Sequence, residues 1–299
     1  MAWHEGELAV QTRAGVAAQA QRVGRIIGET IPAAAAQFLA ARPYVIAATV
    51  SSDGAISASI LGGAPGFAVA TSERSIRIEP RFGHLAGVIA GLNDTGTIGL
   101  LAIDPANRRR MRANGSAAVH DTTISMTTRE VYSNCPQYIH PMTIEPQPAE
   151  AAEKLTGNAL TADQQAWISR SDTLYIASAH QETGADASHR GGEAGFVRVE
   201  GANRLTLPDY SGNNMFNTLG NLAANPRCGL LFIDGPSGSI LQLRGRATLL
   251  WDDPRIAAMP GAERLVEIEV EEVTETRNAL PLRWVSGRKI AAPSSRTRE

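Results

Sequence analysis

The feature that most constrains this chain is that it contains the same text twice. AATVSSDGAISASILGGAPGFAV (47–69) lines up with ASAHQETGADASHRGGEAGFVRV (177–199), and IGLLAIDPANRRRMRANGSA (98–117) lines up with CGLLFIDGPSGSILQLRGRA (228–247). Each copy reads as strand, turn, strand with Gly-Gly, Gly-Phe strand, helix, Gly-Leu-Leu strand and a strand ending in Xaa-Gly-Xaa-Ala. Solenoid repeats run to ~20–50 residues, whereas this unit is a small domain long, so the pattern predicts two tandem domains. A chain of 299 residues has room for two cores, since domains cluster near ~100–150 residues.

Within each copy the periodicity is that of short strands. From Tyr44 the runs YVIAATV, AISASIL, GFAVA, SIRIE, TIGLLAI and RRMRANGSAAV follow one another, with turn signals at Asp53-Gly54 and Ala64-Pro65-Gly66 and one helix expected over Gly83 to Leu92. That is the pattern of a small antiparallel meander or barrel, and Thr173 begins a second series. Residues 3–41 are helical in spacing, with Pro32 opening a second helix and Pro43 ending it. His4, between Trp3 and Glu5, belongs to a terminal segment that caps the first helix. The expected organisation is an N-terminal helical segment (1–42), a first domain (43–145), a connector (146–170), a second domain (171–290) and a disordered tail (291–299).

The net charge of −2 gives no global field that would draw the chain to nucleic acid or an anionic membrane, so any anion site must be local. Cys135 and Cys228, far apart and without a CxxC partner or histidine cluster, read as two free thiols. No signal-like start and no long apolar run are present, which predicts a cytoplasmic protein without a spanning helix.

The copies are most informative where they disagree. Ser59-Ile60-Leu61-Gly62-Gly63 in copy one meets Ser188-His189-Arg190-Gly191-Gly192 in copy two, so an apolar pair has a basic counterpart. A phosphate needs a guanidinium or exposed N–H donors, and Arg190 followed by two glycines offers both a donor fork and a closely approachable backbone. Asp209-Tyr210-Ser211-Gly212-Asn213-Asn214 precedes a helix expected over Met215 to Ala223, so polar caps and free helix N–H groups face that end. For Asn213 and Asn214, plain capping and ligand contact are both open. Gln242, Arg244 and Arg246 alternate with apolar neighbours and share one strand face. The run Arg108-Arg109-Arg110-Met111-Arg112 either frames a hairpin or faces an anionic ligand shared between the two domains.

The stretches ADASHRGG, RLTLPDYSGNN, LAANPRCGLLF and SILQLRGRATLL, with EVYSNCPQYI closing copy one and WHEGELAVQ at the start, resemble the pyridoxamine 5'-phosphate oxidase-like flavoproteins. The resemblance spans about two thirds of the chain and implies a mainly β fold with peripheral helices: two tandem split β-barrels, six-stranded, antiparallel and of Greek-key type, related by internal duplication. It implies FMN at the junction of two barrels and a homodimer. Ser188, Arg190, Asn213 and Asn214 would then hold the phosphate, within a cofactor-binding set that also includes His189, Gly191, Pro208, Asp209, Asn217 and Arg244. This sequence departs from the family pattern at Asn213 and Asn214, where the oxidases carry Arg or Lys, at Ile240, where they carry Gln, and at Gln137, where Lys is common. Residues that recognise pyridoxamine phosphate are not recognisable, so the family's vitamin-making activity is not implied. The expected function is an FMN-dependent oxidoreductase acting on a small molecule, with NAD(P)H as a possible electron donor. The alternatives are a non-catalytic flavin-binding or sensing protein and a haem- or F420-binding relative. No metal site and no catalytic side chain stand out, which fits chemistry carried by a flavin ring.

Overall fold

The computed structural model describes residues 3–286. The expected disordered tail, 291–299, lies outside the described residues. Three short helices, α1 (Glu5–Arg13), α2 (Ala17–Val23) and α3 (Ala33–Ala40), precede the first sheet. That sheet is built from β1 (Tyr44–Val50), β2 (Ile56–Gly62), β3 (Ala68–Ser72), β4 (Ser75–Ile78), β5 (Phe82–Gly83), β6 (Thr97–Asp104), β7 (Arg109–His120) and β8 (Thr123–Ser133), with α4 (Leu85–Thr95) inserted before β6. The chain continues through β9 (Met142–Pro146), β10 (Glu153–Gly157) and α5 (Ala162–Arg170). The second series is β11 (Thr173–His180), β12 (Gly184–Gly191), β13 (Arg198–Val199), β14 (Arg204–Tyr210), α6 (Asn217–Ala224), β15 (Arg227–Asp234), β16 (Ser239–Leu250), β17 (Ala262–Arg277) and β18 (Leu282–Ser286).

The two main sheets have one topology. The first runs β3-β4-β8-β7-β6-β1-β2-β5, and the second, in the same sense, β13-β14-β17-β16-β15-β11-β12. All neighbours within both sheets are antiparallel. Even the irregularities repeat, with bulges at Asn114/Gly115 on β7 and Arg244/Gly245 on β16. The paths exceed six strands because short flanking strands, β3 and β5 in one sheet and β13 in the other, extend them. β10, within the stretch expected to be a connector, pairs with β17, while β9 pairs with β18 in a separate ribbon.

Side-chain burial explains why β1 and β11 are almost wholly buried rather than alternating. One face of each points into its own barrel, where Val45, Ala47 and Leu61 join the first core and Leu174, Ile176 and Leu230 join the second. The opposite face meets the other barrel. Tyr44, Ile46, Ala58, Ile60, Leu101, Tyr175, Ala187 and Leu231 form a third apolar cluster along that seam. A strand covered on both faces needs a continuous apolar run, as YVIAATV supplies. The structure is thus a mainly β, split-barrel fold whose seam carries an apolar cluster of its own.

Candidate functional site

At one end of the seam a cleft of about 100 Å³ opens between the barrels. The second barrel supplies His189, Arg190 and Gly191 from the end of β12, Pro208 and Asp209 from β14, and Asn213, Asn214 and Asn217 at the start of α6. The first barrel supplies Arg110 and Arg112 from β7 and the segment Asn134 to Tyr138 that follows β8. Eight of the ten residues expected to form a cofactor site therefore line one cleft, and two do not. Ser188 is buried, with its hydroxyl bonded to Asp186 Oδ2 at 3.2 Å and Thr218 Oγ1 at 2.7 Å, so it ties β12 to the first turn of α6. Arg244 faces a different cleft, where its Nε and NH2 donate to Ser57 Oγ at 3.0 and 2.8 Å and its NH1 to Glu272 Oε2 at 2.9 Å. Gln242 lines the same cleft as Arg244 and bonds Ala58 and Ser59 of β2, whereas beyond the bulge at Arg244/Gly245 Arg246 is exposed.

The strand register makes Leu61 and Arg190 equivalent: Leu61 faces Val45, and Arg190 faces Leu174, at matching places in the two hairpins. Leu61 is fully buried in the first core. Arg190 instead reaches the cleft, where NH1 donates to Asp209 Oδ1 at 2.9 Å. The other Asp209 oxygen lies 3.3 Å from Arg264 NH1, so this buried carboxylate is shared by two guanidiniums. Burial pushes the Asp209 carboxyl up, against the pull of Arg190 and then Arg264.

The first-barrel arginines were visible in the sequence only as a basic run whose target was open. Arg112 pairs with Asp186 at 3.2 Å. Arg110 makes no ion pair among the described residues. Its NH1 donates to His189 Nδ1 at 3.0 Å and its NH2 to the Cys135 carbonyl at 2.7 Å, while its Nε is buried without a partner. Burial, then Arg112 and Arg190, push the Arg110 guanidinium down to about 9, so it remains charged at neutral pH. Both amide atoms of Asn134 are likewise buried and unpartnered. A half-buried guanidinium beside two others, with an unused buried donor, is a strong electrostatic demand for an anion.

Gly191, expected to let a ligand approach, is approached instead by the chain itself: a Cβ there would collide with the Tyr138 carbonyl. Tyr138, in the left-handed region at φ 63, stacks on Tyr210 at 5.2 Å and donates its hydroxyl to the Ser211 carbonyl at 3.0 Å. At the start of α6, Asn213 Oδ1 accepts from Met215 N at 3.1 Å, so its oxygen serves as a local cap. The N-terminal helix braces this end of the site from behind. His4 caps α1 in a reciprocal box with Glu7, and Glu7 Oε1 accepts from Asn217 Nδ2 at 2.7 Å. His4, Glu5 and His180 also cluster, but all four imidazole nitrogens are in hydrogen bonds, to Gly6, Asn221, Glu5 and Glu182.

Residues 160–288 match the family model described as pyridoxamine 5'-phosphate oxidase. That stretch of the chain is similar to the oxidase family. The match takes in β11 to β18 and with them every second-barrel residue of the cleft. No curated protein sequence matches the chain. Among solved structures, a candidate pyridoxamine 5'-phosphate oxidase from Lactobacillus delbrueckii is 20% identical, covering 40% of this chain and 97% of its own, with a TM-score of 0.34. Group A Streptococcus HupZ is 13% identical, covering 38% and 90%, with a TM-score of 0.32. A FAD-binding protein from Mesorhizobium loti is 12% identical, covering 43% and 99%, with a TM-score of 0.30.

Proposed function

We propose that the cleft holds the phosphate end of FMN and that the protein is an FMN-dependent oxidoreductase acting on a small molecule. The observation that carries this reading is Arg110, a half-buried guanidinium with no carboxylate partner among the described residues and a buried, unused Nε, set beside Arg112 and Arg190. A doubly charged phosphate satisfies that demand, and the unpartnered Asn134 amide adds a further donor at the same place. Arg190 would turn one guanidinium nitrogen toward the phosphate while Arg264 keeps Asp209 neutralised. When bound, the flavin supplies hydride or electron transfer at its own ring, which is why no protein acid–base pair is needed.

The cleft draws its walls from two barrels of one chain, so this site does not require the homodimer that the resemblance implies. Among the described residues no helix is long and apolar enough to cross a membrane. Cytoplasmic NADH or NADPH is the proposed reductant. The decisive experiment is the absorbance spectrum of the purified protein, followed by titration with FMN and then with reduced nicotinamide. Flavin bands, saturable FMN uptake and bleaching on reduction are expected. Colourless protein that takes up no FMN overturns the reading, and FMN uptake without reduction by any nicotinamide leaves a binding protein rather than this oxidoreductase.

A further inference from the structure

Behind the anion cleft lies a second cavity of about 310 Å³, and His189 is the one side chain that lines both. Trp167, Tyr175, Trp284, Ile139, Met142 and Ile233 give it an aromatic and apolar side, with His140, Asp172, Thr173 and Ser286 among its polar lining, so both barrels and the β9–β18 ribbon contribute. At the rim Arg170 lies 3.6 Å from Asp234, which leaves no spare cation there to favour an anion.

His189 sets the chemistry of this cavity. Arginine only donates, so the 3.0 Å contact from Arg110 NH1 makes His189 Nδ1 the acceptor and puts the ring proton on Nε2. Burial, then Arg110 and Arg190, hold the ring well below the usual imidazole range, so it stays neutral in that tautomer. The ring is 5% exposed and stands edge-on to Tyr175 at 5.8 Å, and Nε2 makes no hydrogen bond to any described residue. A fixed N–H donor without an acceptor, between walls of tryptophan and tyrosine, selects a flat apolar body with one acceptor.

We infer that this cavity binds a planar, largely apolar molecule of one or two rings whose carbonyl oxygen, or similar acceptor, takes the His189 Nε2 hydrogen bond. Its role as the substrate site rests on the oxidoreductase reading above; the binding itself does not. The anion cleft and the ring cavity then share one wall, so a bound phosphate fixes Arg110, Arg110 fixes the His189 tautomer, and His189 fixes the ring ligand.

The test uses 2,3-dimethyl-1,4-naphthoquinone, whose blocked ring positions spare the exposed Cys135 thiol. Tryptophan fluorescence is followed during titration of the full-length protein, with and without FMN. Saturable quenching is expected in both. Met142→Arg, a charge on a half-buried cavity wall, should weaken quinone binding at least tenfold while FMN affinity changes less than twofold. His189→Phe should keep the aromatic packing and weaken the quinone several-fold through loss of the donor. Absence of saturable quenching, or equal quinone affinity in wild type and a folded Met142→Arg, overturns the assignment. So does competition between FMN and quinone, which would make the cavity the seat of the flavin ring. Quinone uptake by protein that takes up no FMN would sink the cofactor reading and the substrate role while upholding the ring cavity.

Discussion

Gly99 and Gly229 occupy equivalent places in the two barrels, and each has the backbone of the other barrel's hairpin pressed against its α-carbon. A Cβ on Gly99 would lie 2.6 Å from the Ala185 carbonyl oxygen, and one on Gly229 2.7 Å from the Ala58 nitrogen. The Gly-Leu-Leu text repeats because the seam contact repeats. Either glycine to alanine should force the barrels apart locally and cost ~1–3 kcal/mol, as overpacking does elsewhere. Gly28→Ala, where a Cβ meets nothing within 4 Å, is the matched control and should be near neutral. Urea unfolding of the three variants measures this; equal stability in all three would mean that the seam yields freely.

Arg190→Ala and Leu61→Ala touch equivalent positions and should fail in different ways. Loss of a charge-assisted bond of ~1.5–3 kcal/mol predicts roughly a 10- to 150-fold weaker FMN affinity for Arg190→Ala. Arg264 still compensates Asp209 in that variant, so folding should persist. Leu61 is fully buried, and its truncation should cost ~2–5 kcal/mol of stability with flavin affinity of the folded protein unchanged. FMN fluorescence titration alongside denaturant unfolding reads both quantities. A similar flavin affinity in the two variants would remove the asymmetry on which the cofactor assignment leans.

The strands, the repeated order and the contrast of Leu61 with Arg190 were legible in the sequence because each rests on local alternation or on comparison of like with like. The site was legible only by half. Arg110 and His189 are 79 residues apart and meet only because the barrels dock, so no periodicity announces the contact. Ser188 and Arg244 lie near cleft residues in sequence, but pleating turns Ser188 toward α6 and sets Arg244, with Gln242, against β2 of the first barrel. β10 carried no strand signal since every residue of Glu153–Gly157 is exposed and nothing forces alternation. The brace from Glu7 to Asn217 spans 210 residues, a distance at which single-sequence reasoning has no purchase.

The two thiols should separate cleanly. Cys228 is buried in the second barrel, and burial pushes its thiol up to about 12, so a disulfide reagent should not reach it until the barrel unfolds. Cys135 is exposed on the segment that walls the anion cleft. One thiol per native chain should therefore label promptly, and saturating FMN should slow that labelling. Labelling kinetics with a chromogenic disulfide, with and without FMN, check both points; prompt reaction of two thiols in native protein would contradict the buried placement of Cys228.

The brace behind the site should make stability pH-dependent near neutrality. Glu7 is 3% exposed, and burial pushes its carboxyl up to about 7 from an ordinary 4.5, despite hydrogen bonds from Asn217 and the His4 backbone and with Glu130 and Asp186 adding repulsion. A folded value above the unfolded one means that the folded state binds the proton more tightly. The stabilisation from the protonated carboxyl is therefore complete below about 4.5 and is lost as pH rises through about 7. The interval corresponds to at most ~3.5 kcal/mol, at ~1.4 kcal/mol per unit. Glu7→Gln cannot ionise, so the difference in melting temperature between variant and wild type should shift in the variant's favour between pH 5 and pH 8. A constant difference across that range would show that Glu7 titrates as an ordinary carboxylate. Because Glu7 holds Asn217 at the start of α6, the same ionisation should loosen that wall of the cleft, and FMN affinity of the wild type should fall over the same interval while that of Glu7→Gln stays flat.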